Sequence, residues 1–229
     1  MNNGHREQET RLRLLNAAGE IFSKKGFRAA TVREICAKAD ANVAAVNYHF
    51  SSKKNLYLAV LEYAHAEAFR RFPPDMGLPE RPSPEDRLFA FVRSMLLRTL
   101  GKGRPAWHGK LMARERFEPT GLMDDFIDRA ILPRTKLLQG IVTDLLGASA
   151  APLAIHQCAQ SVAGQCRHYL TSRDVIRRVS PGLSLDEAGL EDLARHITRF
   201  SLAGIHAYAR PSLAAPNNAS EHPTPGELQ

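Results

Sequence analysis

The sequence predicts an all-α chain in which a three-helix head precedes a larger helical body. Three observations carry that reading. Apolar residues recur at helical spacing, the alternating apolar/polar runs of a half-buried strand are absent, and helix-start signatures stand at Thr31, Ser52, Ser83 and Ser184. A hydrophobic share of 44% over 229 residues is ample for a buried core.

The elements follow in order. A first helix is expected from about Glu9 to Lys25, with Leu12, Leu15, Ala18, Ile21 and Phe22 on one face and Gly26 as its stop. Thr31-Val32-Arg33-Glu34 is a capping box that opens a short second helix ending near Ala39. The break Asp40-Ala41-Asn42 leads into a third helix from Val43 to His49. Ser51-Ser52 interrupts again, and Ser52 caps a long fourth helix from Lys53 to about Arg70. The stretch from Arg71 to Pro84, with Pro73-Pro74, Gly77, Pro79 and Pro82, reads as a connector. Ser83-Pro84 starts a fifth helix that runs to Leu100 and closes at Gly101-Lys102-Gly103. Pro105 starts the next, through Trp107 to Phe117. Pro119-Thr120 restarts the pattern to Leu146, with a kink expected at Pro133. Helices are expected from Ala151 to Arg178, broken near Ser172, and from Ser184 to Ala209 behind a second capping box, Ser184-Leu185-Asp186-Glu187. From Pro211 the composition is that of a disordered tail. The expected division is therefore 1–55 head, about 53–70 connecting helix, 71–210 body and 211–229 tail.

Charge narrows the partner. The formal net charge is +7, and residues 1–55 hold ten Lys/Arg against five Asp/Glu, so that quarter supplies +5 of it. A basic head on a nearly neutral body suits nucleic acid held at one end, with a solvated basic face as the competing reading. Cys36, Cys158 and Cys166 form no CxxC pair and read as small core residues. The polar start MNNGHREQETR is no signal peptide, and no apolar run approaches a membrane span, so a cytoplasmic protein is expected.

Two short helices joined by a three-residue turn, behind a third, describe a helix-turn-helix head whose last helix enters the major groove of duplex DNA. The residue chemistry fits. Thr31, at a helix N-terminus, and Arg33 in its first turn suit phosphate, and Arg33 can also reach a guanine edge. Ala44 and Ala45 permit close approach and can touch thymine methyls, while the amides of Asn42 and Asn47 suit an adenine edge. Tyr48, His49 and Lys53 suit the phosphate backbone. Val32, Ile35, Val46 and Phe50 read as the head's own core.

Residues 11–60 resemble the N-terminal domain of TetR-family regulators. The markers are the Ala17-Ala18 to Gly26-Phe27 run, Thr31-Val32-Arg33-Glu34-Ile35, and Tyr48-His49-Phe50 with Ser52-Lys53. One subgroup of that family is also similar in Asn42 to Phe50, in Phe117-Glu118-Pro119-Thr120 and in Ser161 to Cys166. The resemblance implies a homodimeric repressor that binds a palindromic operator and is released when a small-molecule effector enters a ligand-binding and dimerisation domain. Carried over by position, the DNA contacts are Thr31, Arg33, Asn42, Ala44, Ala45, Asn47, Tyr48, His49 and Lys53. Two positions depart from the family pattern: Asp40 stands where Gly is usual in the turn, and Asn47 replaces a common aromatic.

For the body, Trp107, Met112, Phe117, Phe126 and Tyr169 suit a ligand pocket, with core filling as the competing reading of each. His156 and Gln160, with Arg114, Glu115, Arg116, Gln165 and His168, are candidates to orient a ligand, and a solvated helix face explains each equally well. No metal site and no cofactor are expected, because His156/Cys158 and Cys166/His168 are too close along a helix to share a face. No nucleophile motif, phosphate loop or dinucleotide fingerprint points to an enzyme. Apolar stripes through Leu190, Leu193, Ile197, Phe200 and Leu202 to Ile205 suit either a dimer interface or a monomer core. The alternatives to a ligand-gated repressor are a structural DNA-binding protein without effector and a helical enzyme carrying a basic appendage.

Overall fold

The structure, a computed structural model, describes residues 3–101 and 106–209, and among them every regular element is helical. In order these are α1 Asn3–Ala29, α2 Val32–Ala39, α3 Val43–Phe50, α4 Lys53–Arg71, α5 Pro84–Leu100, α6 Ala106–Phe117, α7 Met123–Phe126, a π turn Ile127–Ile131, α8 Leu132–Leu146, α9 Pro152–Thr171, α10 Arg173–Val179 and α11 Glu187–Ala209. The expected stop at Lys102-Gly103, the start at Pro105 and the tail from Pro211 lie outside the described residues.

The helix ends are set by local chemistry. Glu34 N–H donates to Thr31 Oγ1 while Glu34 Oε2 receives Thr31 N–H, which completes the expected capping box. Asp40 takes φ 49° and ψ 55°, the left-handed conformation that stops α2, and Asn42 and Ser52 cap α3 and α4 through their side-chain oxygens. Ser83 and Asp86 form a further capping box at α5.

Three sequence expectations are corrected, and the irregularity expected at Pro133 takes a specific form. α1 starts at Asn3, earlier than expected, and the chain resumes helical turns after Gly26, whose φ of 79° breaks the run. Leu12 is 43% exposed, because the core-facing stripe runs through Leu14, Leu15, Ala18 and Phe22. Pro133 produces a widened turn one turn earlier, in which Leu132 N–H reaches back to Ile127 C=O. A proline has no N–H and its ring crowds the carbonyl four residues before it, and the π turn relieves both. Finally, α11 starts at Glu187 because Asp186 Oδ1, not Ser184, accepts the Gly189 N–H, while Ser184 Oγ accepts only Asp186 N–H.

Two hydrophobic clusters organise the packing. The first runs from Leu14 through Phe22, Ile35, Val46, Phe50 and Leu61, and it draws in Trp107, Leu111, Phe126 and Ala130 from α6, α7 and the π turn. The second joins α5, α8, α9 and α11 through Leu88, Phe91, Leu138, Val162, Cys166, Leu193 and Ile197. All three cysteines are buried. α4 continues from α3 after Ser51-Ser52 and touches both α5 and α7. No helix among the described residues is long and apolar enough to cross a membrane.

Candidate nucleic-acid interface

The head presents one face of α3 to solvent. Val46 and Phe50 are buried on its inner side, whereas Asn42, Ala44, Asn47 and Tyr48 are exposed, Tyr48 by 71%. Ala45 and His49 are half-buried along the edge of that face, and the rings of Tyr48 and His49 meet edge to face at 5.0 Å. Small residues near the start of α3 and a ring near its end leave room for a base-pair edge against the helix.

The cap residues come with part of their hydrogen-bonding capacity already used. Asn42 Oδ1 accepts Ala45 N–H at 2.9 Å, so one of its two lone pairs and the orientation of its amide are committed to the cap. Bidentate reading of adenine needs both amide functions, and Asn47, exposed one turn further on, keeps both. Thr31 Oγ1 donates to Glu34 Oε2 at 3.1 Å, which keeps the hydroxyl inside the capping box. The groups left for a phosphate at that helix start are the first backbone N–H groups of α2. Arg33 is exposed beside them and makes no ion pair among the described residues. Lys25 pairs with Glu34, and with the Thr31 backbone N–H it holds the Glu34 carboxyl below its ordinary range. Lys53 Nζ donates to Arg28 C=O at 3.2 Å and lies 4.8 Å from the centre of the Phe27 ring, a half-buried cation at the start of α4.

A wall of the interface went unread in the sequence. Arg6, Glu7 and Thr10, from the first turns of α1, join Ala44, Ala45, Tyr48 and His49 around a shallow concavity of ≈ 350 Å³. Tyr48 Oη donates to Glu7 Oε1 at 3.4 Å. The available signal was the spacing of Arg6 and Thr10 on one face of a helix that begins earlier than its apolar stripe. Val43, 43% exposed in the first turn of α3, adds an apolar group to the outer face of the helix.

The body residues named for a ligand do not meet at one place. Trp107 and Phe126 are buried in the first cluster with Met112 packed against it, and Tyr169 packs on the second. His156 and Gln160 are exposed on α9. The side chains of Arg116 and Phe117 lie outside the described residues. Glu115 is buried and accepts from Tyr57 Oη at 2.5 Å and from Thr120 N–H and Oγ1, so it ties α6 to α4. Gln165 donates to Ser201 across α9 and α11.

Two short capped helices joined at a left-handed turn, with a basic and small-residue outer face, define a helix-turn-helix DNA-binding protein with a helical C-terminal part. Residues 14–60 match the family of bacterial regulatory proteins of the tetR type, and residues 84–205 match the C-terminal domain of the HTH-type transcriptional dual regulator CecR. The chain belongs to the TetR family of transcriptional regulators. The CecR regulator of Shigella flexneri is 26% identical over 202 residues, 83% of this chain and 89% of that protein. A transcriptional regulator of Pseudomonas aeruginosa PAO1 shares the fold with a TM-score of 0.66 at 19% identity, over 87% of this chain and 93% of its own. The regulator FadR of Bacillus subtilis, solved with stearoyl-CoA, shares it with a TM-score of 0.60 at 15% identity, over 85% and 99%.

Proposed function

We propose that this regulator is a repressor that binds a palindromic operator as a homodimer and releases it when a small molecule enters the body. One observation carries the DNA half: α3 turns Ala44, Asn47 and Tyr48 outward while Val46 and Phe50 fix its inner side to the core. In this reading residues 1–55 hold the DNA, α4 connects, and 71–210 bind effector and partner, in the cytoplasm with the DNA. The first backbone N–H groups of α2, ordered by the Thr31 cap, together with Arg33, Tyr48, His49 and Lys53, set the position on the phosphate backbone. Ala44, Ala45 and Asn47 read bases, with Asn42, whose amide also caps α3, beside them. Support for a second copy is the face of α11 where Phe200, 65% exposed, shares a stripe with Ala203, Gly204 and Ala207. Two heads one helical turn apart, about 34 Å, would match a palindrome. Support for an effector is the stearoyl-CoA held by the Bacillus subtilis neighbour. Release is a population shift: a ligand that favours a body with wrongly spaced heads must lower operator affinity by linkage.

The test is site selection from random duplexes followed by titration of the selected site. A palindromic consensus is expected; binding indifferent to sequence at physiological salt would favour the structural DNA-binding alternative. Asn47→Ala should change the selected bases. Lys53→Ala should instead weaken all sites alike and lower the salt slope by about one for each phosphate no longer neutralised. An Asn47→Ala protein with unchanged base preference removes Asn47 from the reading set.

A further inference from the structure

Two arginines meet where the two hydrophobic clusters adjoin, and neither has an anionic partner among the described residues. Arg98 of α5 is only 7% exposed, and its guanidinium lies 3.8 Å from the centre of the Phe69 ring of α4. Arg134 of α8 lies 4.0 Å from the centre of the same ring. No carboxylate of the described residues pairs with either; Arg98 donates to Phe72 C=O at 3.1 Å and to Ser94 Oγ, and Arg134 donates to Ala130 C=O. His65, one turn before Phe69, also bonds Ala130, which belongs to the π turn, and its Nε2 is buried without a hydrogen-bond partner.

This is a costly arrangement for a protein to keep. A buried guanidinium loses its hydration, and without a carboxylate the neutral acceptors Phe72 C=O and Ser94 Oγ return only part of that energy. The two cations disfavour each other, and burial first, then Arg134, pushes the Arg98 pKa down to about 9. Stacking on one aromatic ring offsets only part of this. The missing component is an anion, and a planar acid group can accept two parallel N–H bonds from a guanidinium.

We propose that the Arg98–Phe69–Arg134 stack, together with His65, is the recognition site for the acid group of an amphipathic organic acid, a carboxylate or a phosphate ester on an apolar body. The acid group displaces the Phe69 ring from one guanidinium and is held between the arginines. His65 Nε2 takes a hydrogen bond from a protonated acid oxygen, or gives one if the ring is protonated. The apolar body lies along Phe126, whose ring meets His65 edge to face at 5.4 Å. The position also supplies a route to the DNA: His65 and Phe69 sit on α4, whose first turn holds Lys53. An acid that moves Phe69 therefore acts on the helix that continues from α3. This deepens the effector reading above and rests on it for the release step alone.

The test uses the full chain with octanoate, octyl phosphate and octanol, three probes with one tail and different heads. Binding is read by thermal shift and by the emission of Trp107, the chain's one tryptophan. We expect one or both acids to bind and octanol to bind on the order of tenfold more weakly or not at all. The stronger of the two acids identifies the head group. Arg98→Met should fold, because a long apolar side chain relieves a buried cation, and it should lose on the order of tenfold in acid affinity. Arg134→Gln, on the less buried partner, provides a second variant in which the same loss is expected. Octanol binding as well as the acids, acid binding unchanged in both variants, or no binding of either acid would each overturn the proposal. Operator release is measured separately. Acids that bind through Arg98 without releasing DNA would leave the anion site standing and remove the effector reading; a neutral compound that releases DNA would do the reverse.

Discussion

At the residue scale, His65 makes the stability of the native chain depend on pH in a definite direction. Burial first, then the Arg134 and Arg98 guanidiniums and His108, lower its pKa to about 3, with the Ala130 carbonyl opposing. The native ring is therefore neutral at pH 7, while the same ring in the unfolded chain titrates near ~6.5. Between those values the unfolded chain takes up a proton that the native one refuses. The contribution of His65 is thus fully present above the unfolded value and lost as pH falls toward the folded one, by at most ~1.4 kcal/mol per pH unit. Urea midpoints at pH 7 and pH 5 should fall further for the native sequence than for His65→Leu; equal losses would show that carboxylates alone set the slope. The residues of the DNA face were legible because caps and turns are local: Thr31, Asp40, Asn42 and Ser52 each act on a backbone group a few positions away. His65, Arg98 and Arg134 were not, since no periodicity records that residues on α4, α5 and α8 face one another. Glu7 and Arg6 escaped for a related reason, being polar residues whose partner Tyr48 stands far along the chain.

At the scale of elements, α1 is the member on which the head and α6 both depend. Its packing against α6 is close enough that a Cβ added at Gly19 would lie 2.4 Å from the Trp107 indole. A tryptophan fixed in a core cannot swing aside as a lysine would, so a larger residue at Gly19 must separate the helices. Gly19→Leu should destabilise by about 1–3 kcal/mol and red-shift the Trp107 emission, because the ring gains water. A variant with native emission and native urea midpoint would mean that the packing of α1 on α6 yields without cost. The helices themselves were legible wherever a cap or a proline marks an end, as at Ser83-Pro84. They were misread where the decision is made by packing. Leu12 fits a helical period as well as Leu14 does, and only the position of α4 and α6 decides which leucine faces inward. Ser184 and Asp186 are both competent caps, and the one that lines up with Gly189 N–H was not written in their identity.

At the scale of the whole molecule, the stripe on α11 divides between two duties that the sequence ran together. Leu190, Leu193, Ile197 and Ile205 are closed into the second cluster, whereas Phe200, beside that stripe, and Tyr208, past its end, stand 65% and 61% exposed. Large rings left in water beside Ala203, Gly204 and Ala207 suit the second copy proposed above, since small residues let a second helix approach and the rings then fill the gap. Phe200→Asp should leave the monomer fold intact, because the ring makes little of its core, and should turn a dimer in sedimentation into a monomer. A palindromic operator binds a dimer through two linked heads, so the monomer should lose on the order of a hundredfold in affinity for the full site while its affinity for a half-site stays unchanged. The half-site measurement separates the interface from the head: a loss on both sites would place the damage in folding, and a Phe200→Asp protein that still sediments as a dimer would put the second copy on another face. Because each head neutralises its own set of phosphates, the salt dependence should halve when the partner is removed, which ties the covered face of α11 to the basic face of the head by a single titration.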